Sequence, residues 1–173
     1  MQARLTFQKI KIVVKLFVYC LAAVCLLSCK TTTYYISRHA EKAGGMSSDP
    51  PLTPQGEQQA IALRDYLAGK KIGAIYSTAY LRTKATAGPT ADAYSLPVNN
   101  YSATAPNVLV DSLKANNKRN VLIIGHSNTV DDLVNRFVGT VAVSDLPDSE
   151  YGSLFIVRKK GSSYRFEKIK VTR

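Results

Sequence analysis

Apolar segments that favour β-strands alternate with segments of helical periodicity along most of this chain. The predicted strands are Tyr34 to Ser37, Ile72 to Tyr76, Pro97 to Tyr101 and Val121 to Gly125. The predicted helices follow Thr53, an N-cap residue, and then run over Ala79 to Tyr94, Pro106 to Asn116 and Asn128 to Phe137. Leu154 to Arg158 and Tyr164 to Val171 flank a Gly-containing turn and predict a hairpin. This order predicts an α/β fold, a three-layer α/β/α sandwich with a mainly parallel sheet and an antiparallel C-terminal edge hairpin.

The start of the chain has a different pattern. Its first 15 residues carry four basic residues and no acid, and Leu16 to Leu27 is an uninterrupted run of twelve apolar residues. A helix needs about 20 apolar residues to span a bilayer, so this run is typical of a secretory signal. Residues 1–28 are therefore predicted to be a signal peptide, residues 29–32 a tether, and residues 33–173 one domain.

Leu26-Leu27-Ser28-Cys29 resembles the lipobox of bacterial lipoproteins, in which cleavage precedes the cysteine and its sulfur is lipidated. An ordinary signal peptide or membrane anchor that contains a cysteine is the alternative. The lipobox predicts lipid attachment at Cys29 and a membrane-anchored protein that faces the periplasm or the cell exterior. The tether is short, so the domain is expected to begin close to the membrane.

The charge of the chain allows several kinds of partner. Loss of four basic residues with the signal would lower the formal charge from +11 to +7. The basic residues are scattered, with no run longer than three and no nucleic-acid-binding motif, so nucleic acid is not an expected partner. Anionic lipid and phosphorylated ligands are compatible with this surface, and a monomer is expected.

The two histidines of the chain occupy similar positions. Arg38 and His39 come where the first predicted strand meets a loop, and His126 directly follows the buried strand Val121 to Gly125. In α/β folds the reacting groups usually lie at such strand ends. A single histidine is more often structural, but two histidines at strand ends, one beside an arginine, indicate a site.

Three motifs together resemble the histidine phosphatase superfamily, which includes phosphoglycerate mutases, acid phosphatases and phosphohistidine phosphatases. They are Arg38-His39-Ala40-Glu41, the segment Ser77 to Ala87 and Gly125-His126-Ser127. The segment Leu52 to Ala60 also resembles the first helix of that superfamily. The resemblance runs from Tyr34 to about Asn135, with the motifs in the family's order.

The resemblance implies a role for each of four residues. His39 matches the nucleophile that becomes phosphohistidine, and Arg38, Arg82 and His126 match the groups that bind phosphate. Phosphoryl transfer suits such a set, because an in-line nucleophile among fixed cationic donors stabilises the charge on the transferred group. This chemistry requires no metal, and no cofactor is expected.

The chain departs from better-known members of the family in its acidic residues. His126 is followed by Ser127 in place of an acid, and Tyr101 to Asn107 contains no acid. Glu41 is the tentative general acid, with Ser127, Asp131, Asp132 or solvent as alternatives. The predicted activity is a metal-independent phosphatase acting on phosphate monoesters or phosphoramidates. The alternative is a non-catalytic lipoprotein that binds phosphorylated ligands; the compact length disfavours a mutase.

Overall fold

The computed structural model describes residues 31–117 and 119–171, which form ten helices and strands. In chain order they are β1 (Thr32–Arg38), α1 (Pro54–Leu67), β2 (Ile72–Ser77), α2 (Leu81–Tyr94), β3 (Val98–Asn100), α3 (Pro106–Asn116), β4 (Asn120–Gly125), α4 (Val130–Val138), β5 (Ser153–Lys160) and β6 (Ser163–Lys170). The predicted signal peptide and Cys29 lie outside the described residues.

The six strands form one mixed sheet in the order β3-β2-β4-β1-β5-β6. β1, β2, β3 and β4 run parallel to one another, whereas β5 is antiparallel to β1 and pairs with β6 as a hairpin at the edge of the sheet. The predicted α/β fold with an antiparallel C-terminal hairpin is confirmed.

The core consists of two hydrophobic layers, one on each face of the sheet. Tyr34 and Ile36 of β1 pack with residues of α3 and α4, while Tyr35 packs with residues of α1 and α2. Side chains of a strand point alternately to opposite faces, so a strand covered on both faces is apolar throughout. All members of both layers lie between residues 34 and 171, and this part of the chain therefore contains its own core.

Two helices begin later than the sequence pattern predicts. α2 begins at Leu81 because Tyr80 has an extended backbone, and the helix then continues through Pro89 as one element. α4 begins at Val130 because the three residues after His126 form a turn, in which the Thr129 and Val130 amides donate to the His126 carbonyl oxygen. The backbone conformation of the residues that follow β2 and β4 thus sets where these two helices begin, although the helical pattern in the sequence starts earlier.

The N-terminus of α1 packs directly against the loop that follows β1. The Thr53 hydroxyl accepts a hydrogen bond from the Gly56 amide, as the sequence predicts for an N-cap, and donates to a carboxylate oxygen of Glu41. A Cβ atom at Gly56 would collide with the carbonyl oxygen of Glu41, so only glycine allows this close approach. The helix thereby fixes the loop that carries the Arg-His pair.

No helix in the described part of the chain is both long enough and apolar enough to cross a membrane.

Candidate active site

The carboxyl ends of two parallel strands, β1 and β4, bring the two histidines together. Arg38 at the end of β1 pairs in register with Gly125 of β4, and the His39 amide donates to the Gly125 carbonyl oxygen over 2.9 Å. The ring centroids of His39 and His126 are 5.5 Å apart. Parallel pairing therefore places residues 87 positions apart in the chain side by side.

These strand ends form the floor of an open pocket of about 410 Å³. The four residues that the sequence singles out as nucleophile and phosphate-binding groups all line it: Arg38, His39, Arg82 and His126. The remaining lining residues are Lys42, Tyr80, Ala103, Thr104, Ser127, Asn128, Thr129 and Asp148. With two arginines and a lysine against one carboxylate, the pocket favours an anionic ligand.

His39 is held in one tautomer by the backbone. Its Nδ1 atom lies 2.8 Å from the carbonyl oxygen of Ala40. A carbonyl oxygen can only accept, so Nδ1 carries the hydrogen and Nε2 keeps its lone pair. Burial lowers the pKa of His39 to about 3, and the nearby Arg38 charge acts in the same direction. The ring is therefore neutral at pH 7, the form in which an imidazole nitrogen acts as a nucleophile.

His126 is oriented through a chain of hydroxyl groups. Its Nε2 atom lies 2.9 Å from the Thr78 hydroxyl, which in turn lies 2.9 Å from the Thr83 hydroxyl. Thr83 donates to the Tyr80 carbonyl oxygen, so Thr78 donates to Thr83 and the His126 Nε2 hydrogen donates to Thr78. Nδ1 of His126 then accepts from Arg82 over 3.4 Å. Burial lowers the pKa of His126 to about 4, with the Arg82 charge as the next cause.

The lowered histidine pKa values predict a loss of stability in mild acid. An unfolded histidine titrates near pH 6.5, whereas the folded values are about 3 for His39 and about 4 for His126. Below pH 6.5 the unfolded chain therefore binds more protons than the folded one, and the free energy of unfolding falls as the pH is lowered from 6.5 towards 4. Urea unfolding in phosphate-free buffer at pH 7, 6 and 5 measures this slope. The double variant His39→Gln, His126→Gln is expected to flatten it, and an unchanged slope would contradict the assignment.

Arg82 lies in the first turn of α2 and faces His126. Its side chain is 14% exposed, its NH1 group lies 3.3 Å from an Asp49 carboxylate oxygen, and its guanidinium stacks 4.4 Å from the centre of the Tyr80 ring. The same Asp49 carboxylate accepts from the Leu81 amide. Asp49, which the sequence analysis does not single out, thus fixes both the helix N-terminus and the direction of Arg82.

Arg38 is the most deeply buried of the cationic groups, with a side chain that is 2% exposed. Its NH1 group donates to the backbone carbonyl oxygens of Pro147, Asp148 and Glu150 at 2.9 to 3.1 Å. Its guanidinium also lies 4.4 Å from the centre of the Tyr151 ring. Arg38 therefore anchors residues 147–151 beside the pocket.

Glu41 is not brought into this pocket. It is absent from the lining residues, and its carboxylate accepts a hydrogen bond from Thr53. Asp131, another alternative, also lies outside the pocket lining; it is buried, and burial raises its pKa. Neither placement supports a role in proton donation.

Asp148 is the one acidic residue among those lining the pocket in the described chain. Its side chain is 97% exposed, and a carboxylate oxygen lies 3.6 Å from Arg38 NH2 and 3.4 Å from the Ser127 hydroxyl. No sequence motif points to Asp148, because it lies 22 residues beyond His126 in a segment without periodicity. The carbonyl contacts of Arg38 and a hydrogen bond from the Leu146 amide to the Ser127 carbonyl oxygen bring that segment to the site.

A search of residues 31–117 and 119–171 finds no group of three or more His, Cys, Asp or Glu residues placed to bind a metal ion.

Comparison with known proteins supports the family resemblance over part of the chain and the fold over most of it. Residues 34–103 match the model of the histidine phosphatase superfamily (branch 1), a region that includes Arg38, His39 and Arg82 but ends before His126. No curated protein matches the sequence of the chain. The family model thus confirms the resemblance over the first two motifs, Arg38-His39-Ala40-Glu41 and Ser77 to Ala87.

Solved structures with the same fold cover most of the described chain. The mycobacterial glucosyl-3-phosphoglycerate phosphatase has a TM-score of 0.67 at 14% identity. The matched region covers 82% of this chain and 100% of the phosphatase chain. The protein histidine phosphatase SixA, complexed with tungstate, has a TM-score of 0.66 at 20% identity, and the match covers 80% of this chain and 97% of SixA. YhfR of Bacillus stearothermophilus has a TM-score of 0.61 at 20% identity, and the match covers 78% of this chain and 94% of YhfR. At these identities the likeness establishes the fold alone.

Proposed function

We propose that this chain, whose residues 34–103 match the model of the histidine phosphatase superfamily, is a phosphatase that hydrolyses phosphate monoesters or phosphoramidates through a phosphohistidine at His39. The observation that carries this proposal is the state of the His39 ring. The Nδ1 hydrogen donates to the Ala40 carbonyl oxygen, so Nε2 keeps the lone pair that can attack phosphorus. His39 lines the pocket together with Arg38 and Arg82. A pocket that only bound phosphate would not need a neutral histidine.

The proposed reaction has two displacements at phosphorus. In the first, Nε2 of His39 attacks the phosphorus, a P–N bond forms, and the bond to the leaving group breaks. In the second, water attacks the phosphohistidine, the P–N bond breaks, and inorganic phosphate leaves. Arg82 contributes N–H donors towards the equatorial oxygens of the transferred group, which carry the developing charge.

His126 is proposed to support Arg82 and to contact the phosphate. The Thr78 hydroxyl fixes its ring, and its Nδ1 atom faces Arg82. A phosphate dianion in the pocket would favour the protonated form of this ring, because an opposite charge nearby raises the pKa of a histidine. His126 would then donate a hydrogen bond from Nδ1 to a phosphate oxygen.

The leaving group needs a proton unless it departs readily as an anion, and we assign that proton to Asp148. Asp148 supplies the carboxylate of the pocket lining, whereas Glu41 is hydrogen-bonded to Thr53. The 97% exposed side chain can turn over the pocket mouth without disturbing packed neighbours. The backbone of Asp148 stays fixed meanwhile, because its carbonyl oxygen accepts from Arg38.

The leaving-group dependence of the rate tests this assignment. Asp148→Asn is expected to slow hydrolysis of an alkyl phosphate by about 10²-fold, the lower end of a typical general-acid contribution, and to change hydrolysis of a nitrophenyl phosphate by less than about threefold. Glu41→Gln is the matched control and is expected to change both rates little. An equal loss on both substrates for Asp148→Asn, or a selective loss for Glu41→Gln, would contradict the assignment.

The same assay tests the proposed function itself. Purified Cys29-to-Arg173 protein, pretreated with a chelator, is expected to release inorganic phosphate from the aryl ester. Tight binding of inorganic phosphate without any turnover would instead support the non-catalytic lipoprotein.

Membrane anchoring at Cys29, with the domain facing the periplasm or the cell exterior, is part of the proposal and rests on the lipobox resemblance. The open pocket suits phosphate on a larger body such as a glycan or a protein side chain. The related folds belong to phosphatases named for different substrates, among them a glucosyl-3-phosphoglycerate phosphatase and a protein histidine phosphatase.

A further inference from the structure

The edge of the sheet opposite the pocket carries its own set of charged residues. β1, β2 and β4 begin at this edge, and the turn of the β5-β6 hairpin lies there too, because Thr32 pairs with Lys159. The strands rise about 3.3 Å per residue, so this edge lies about 20 Å from the strand ends that form the pocket floor. The two ends of the domain can therefore face different surroundings.

Five exposed basic residues of the described chain that have no carboxylate partner occupy this edge, and we call them the basal face. They are Lys70 and Lys71 before β2, Arg119 before β4, Lys160 at the end of β5, and Arg165 in β6. In the described part of the chain, none of the five is in an ion pair with a carboxylate. The acids of this region already have arginine partners, since Asp65 pairs with Arg64 and Glu167 with Arg158.

The basal face is rigidly joined to the point where the described chain begins. The Asn120 side chain donates to the Lys70 carbonyl oxygen over 2.7 Å and accepts from the Thr33 amide over 2.9 Å. Arg119 packs against Gly73, whose carbonyl oxygen accepts from its guanidinium over 3.4 Å. The starts of β1, β2 and β4 thus form one platform around Thr33.

The position of this platform in the chain indicates its partner. The lipid-attachment residue predicted from the sequence, Cys29, precedes Thr31 by two residues, which span at most about 7 Å. A lipid at that position would place the basal face within about one Debye length of the headgroups. A basic surface beside a lipid anchor supplies the second signal that stable membrane attachment requires.

We propose that the basal face binds the anionic headgroups of the membrane, so that the phosphate pocket opens away from the bilayer. The pocket then receives substrates from the aqueous side, and phosphorylated headgroups of the same leaflet lie out of its reach. This binding does not depend on turnover at His39. Its test can therefore fail or succeed independently of the proposed phosphatase activity.

Vesicle sedimentation with non-acylated Cys29-to-Arg173 protein tests the proposal, because that chain retains the whole core. We expect binding to vesicles of phosphatidylglycerol and phosphatidylcholine, no binding to phosphatidylcholine alone, and release at 0.5 M salt. Each basic residue near an anionic surface strengthens binding by about fivefold. The variant Lys71→Glu, Arg165→Glu is accordingly expected to bind at least about 25-fold more weakly, because two basic residues are lost and two acidic residues are added.

A charge-matched control separates the basal face from net charge. Lys84 lies in the first turn of α2 and Lys170 at the far end of β6, both exposed and near the pocket end of the domain. Lys84→Glu, Lys170→Glu changes the charge by the same amount and is expected to weaken binding less than about threefold; thermal unfolding verifies that both variants are folded. Equal losses in the two variants, or no binding to anionic vesicles, would overturn the proposal. Retention on heparin without vesicle binding would assign the face to a soluble polyanion and would overturn it too.

Discussion

Replacing His39 by alanine is expected to lower kcat at least about 10⁴-fold on every phosphate ester, because the attacking atom itself is lost. The leaving group should make no difference to this loss, in contrast to the effect of Asp148→Asn. The measurement is release of inorganic phosphate from an aryl and an alkyl phosphate, with the unfolding temperature of each protein recorded alongside.

The covalent intermediate provides the control for this prediction. Rapid quenching with alkali after addition of a labelled phosphoramidate is expected to trap label on the unmutated protein, and the label should be released by acid, as for a phosphohistidine. His126→Ala should slow the reaction but still form labelled protein, since His39 remains. Label on His39→Ala protein, or residual activity above about one per cent, would remove His39 from the proposed role.

Replacing Arg82 by alanine is expected to lower kcat/KM about 10²–10³-fold, the usual effect of losing one fixed donor to a developing oxyanion. Three contacts disappear with it: the one to His126 Nδ1, the ion pair with Asp49 and the stacking on the Tyr80 ring. Asp49 retains its bond from the Leu81 amide, so α2 keeps its N-terminal contact and the fold is expected to persist.

Two further variants separate catalysis from general effects of lost charge. Arg64→Ala removes an arginine of the same kind from an exposed ion pair with Asp65 and is expected to leave kcat/KM unchanged. Arg82→Lys keeps the charge but loses the forked donor geometry, so only partial recovery is expected. Full activity in Arg82→Lys would show that the charge alone suffices, and full activity in Arg82→Ala would contradict the proposed role.

Much of the fold could be predicted from the sequence because its strands and helices have distinct periods. α3 has the predicted bounds, and β1, β2 and β4 differ from prediction by one or two residues at their ends. The N-cap Thr53 and the hairpin turn at Gly161 follow from local chemistry, which needs no tertiary contact. The starts of α2 and α4 were predicted two residues early, because the turns after β2 and β4 are stabilised by contacts at the strand ends.

The sequence alone was enough to predict four residues that line the pocket: Arg38, His39, Arg82 and His126 lie in short motifs attached to strand ends, and strand ends of a parallel sheet meet at one edge. The tautomer of His126, the pairing of Asp49 with Arg82 and the position of Asp148 beside Arg38 could be read only from the folded chain. Each of these depends on contacts between segments far apart in the chain, such as the 109 positions between Arg38 and Pro147. Periodicity is a property of neighbours within one element, whereas hydrogen bonds across elements exist only once the sheet has aligned them.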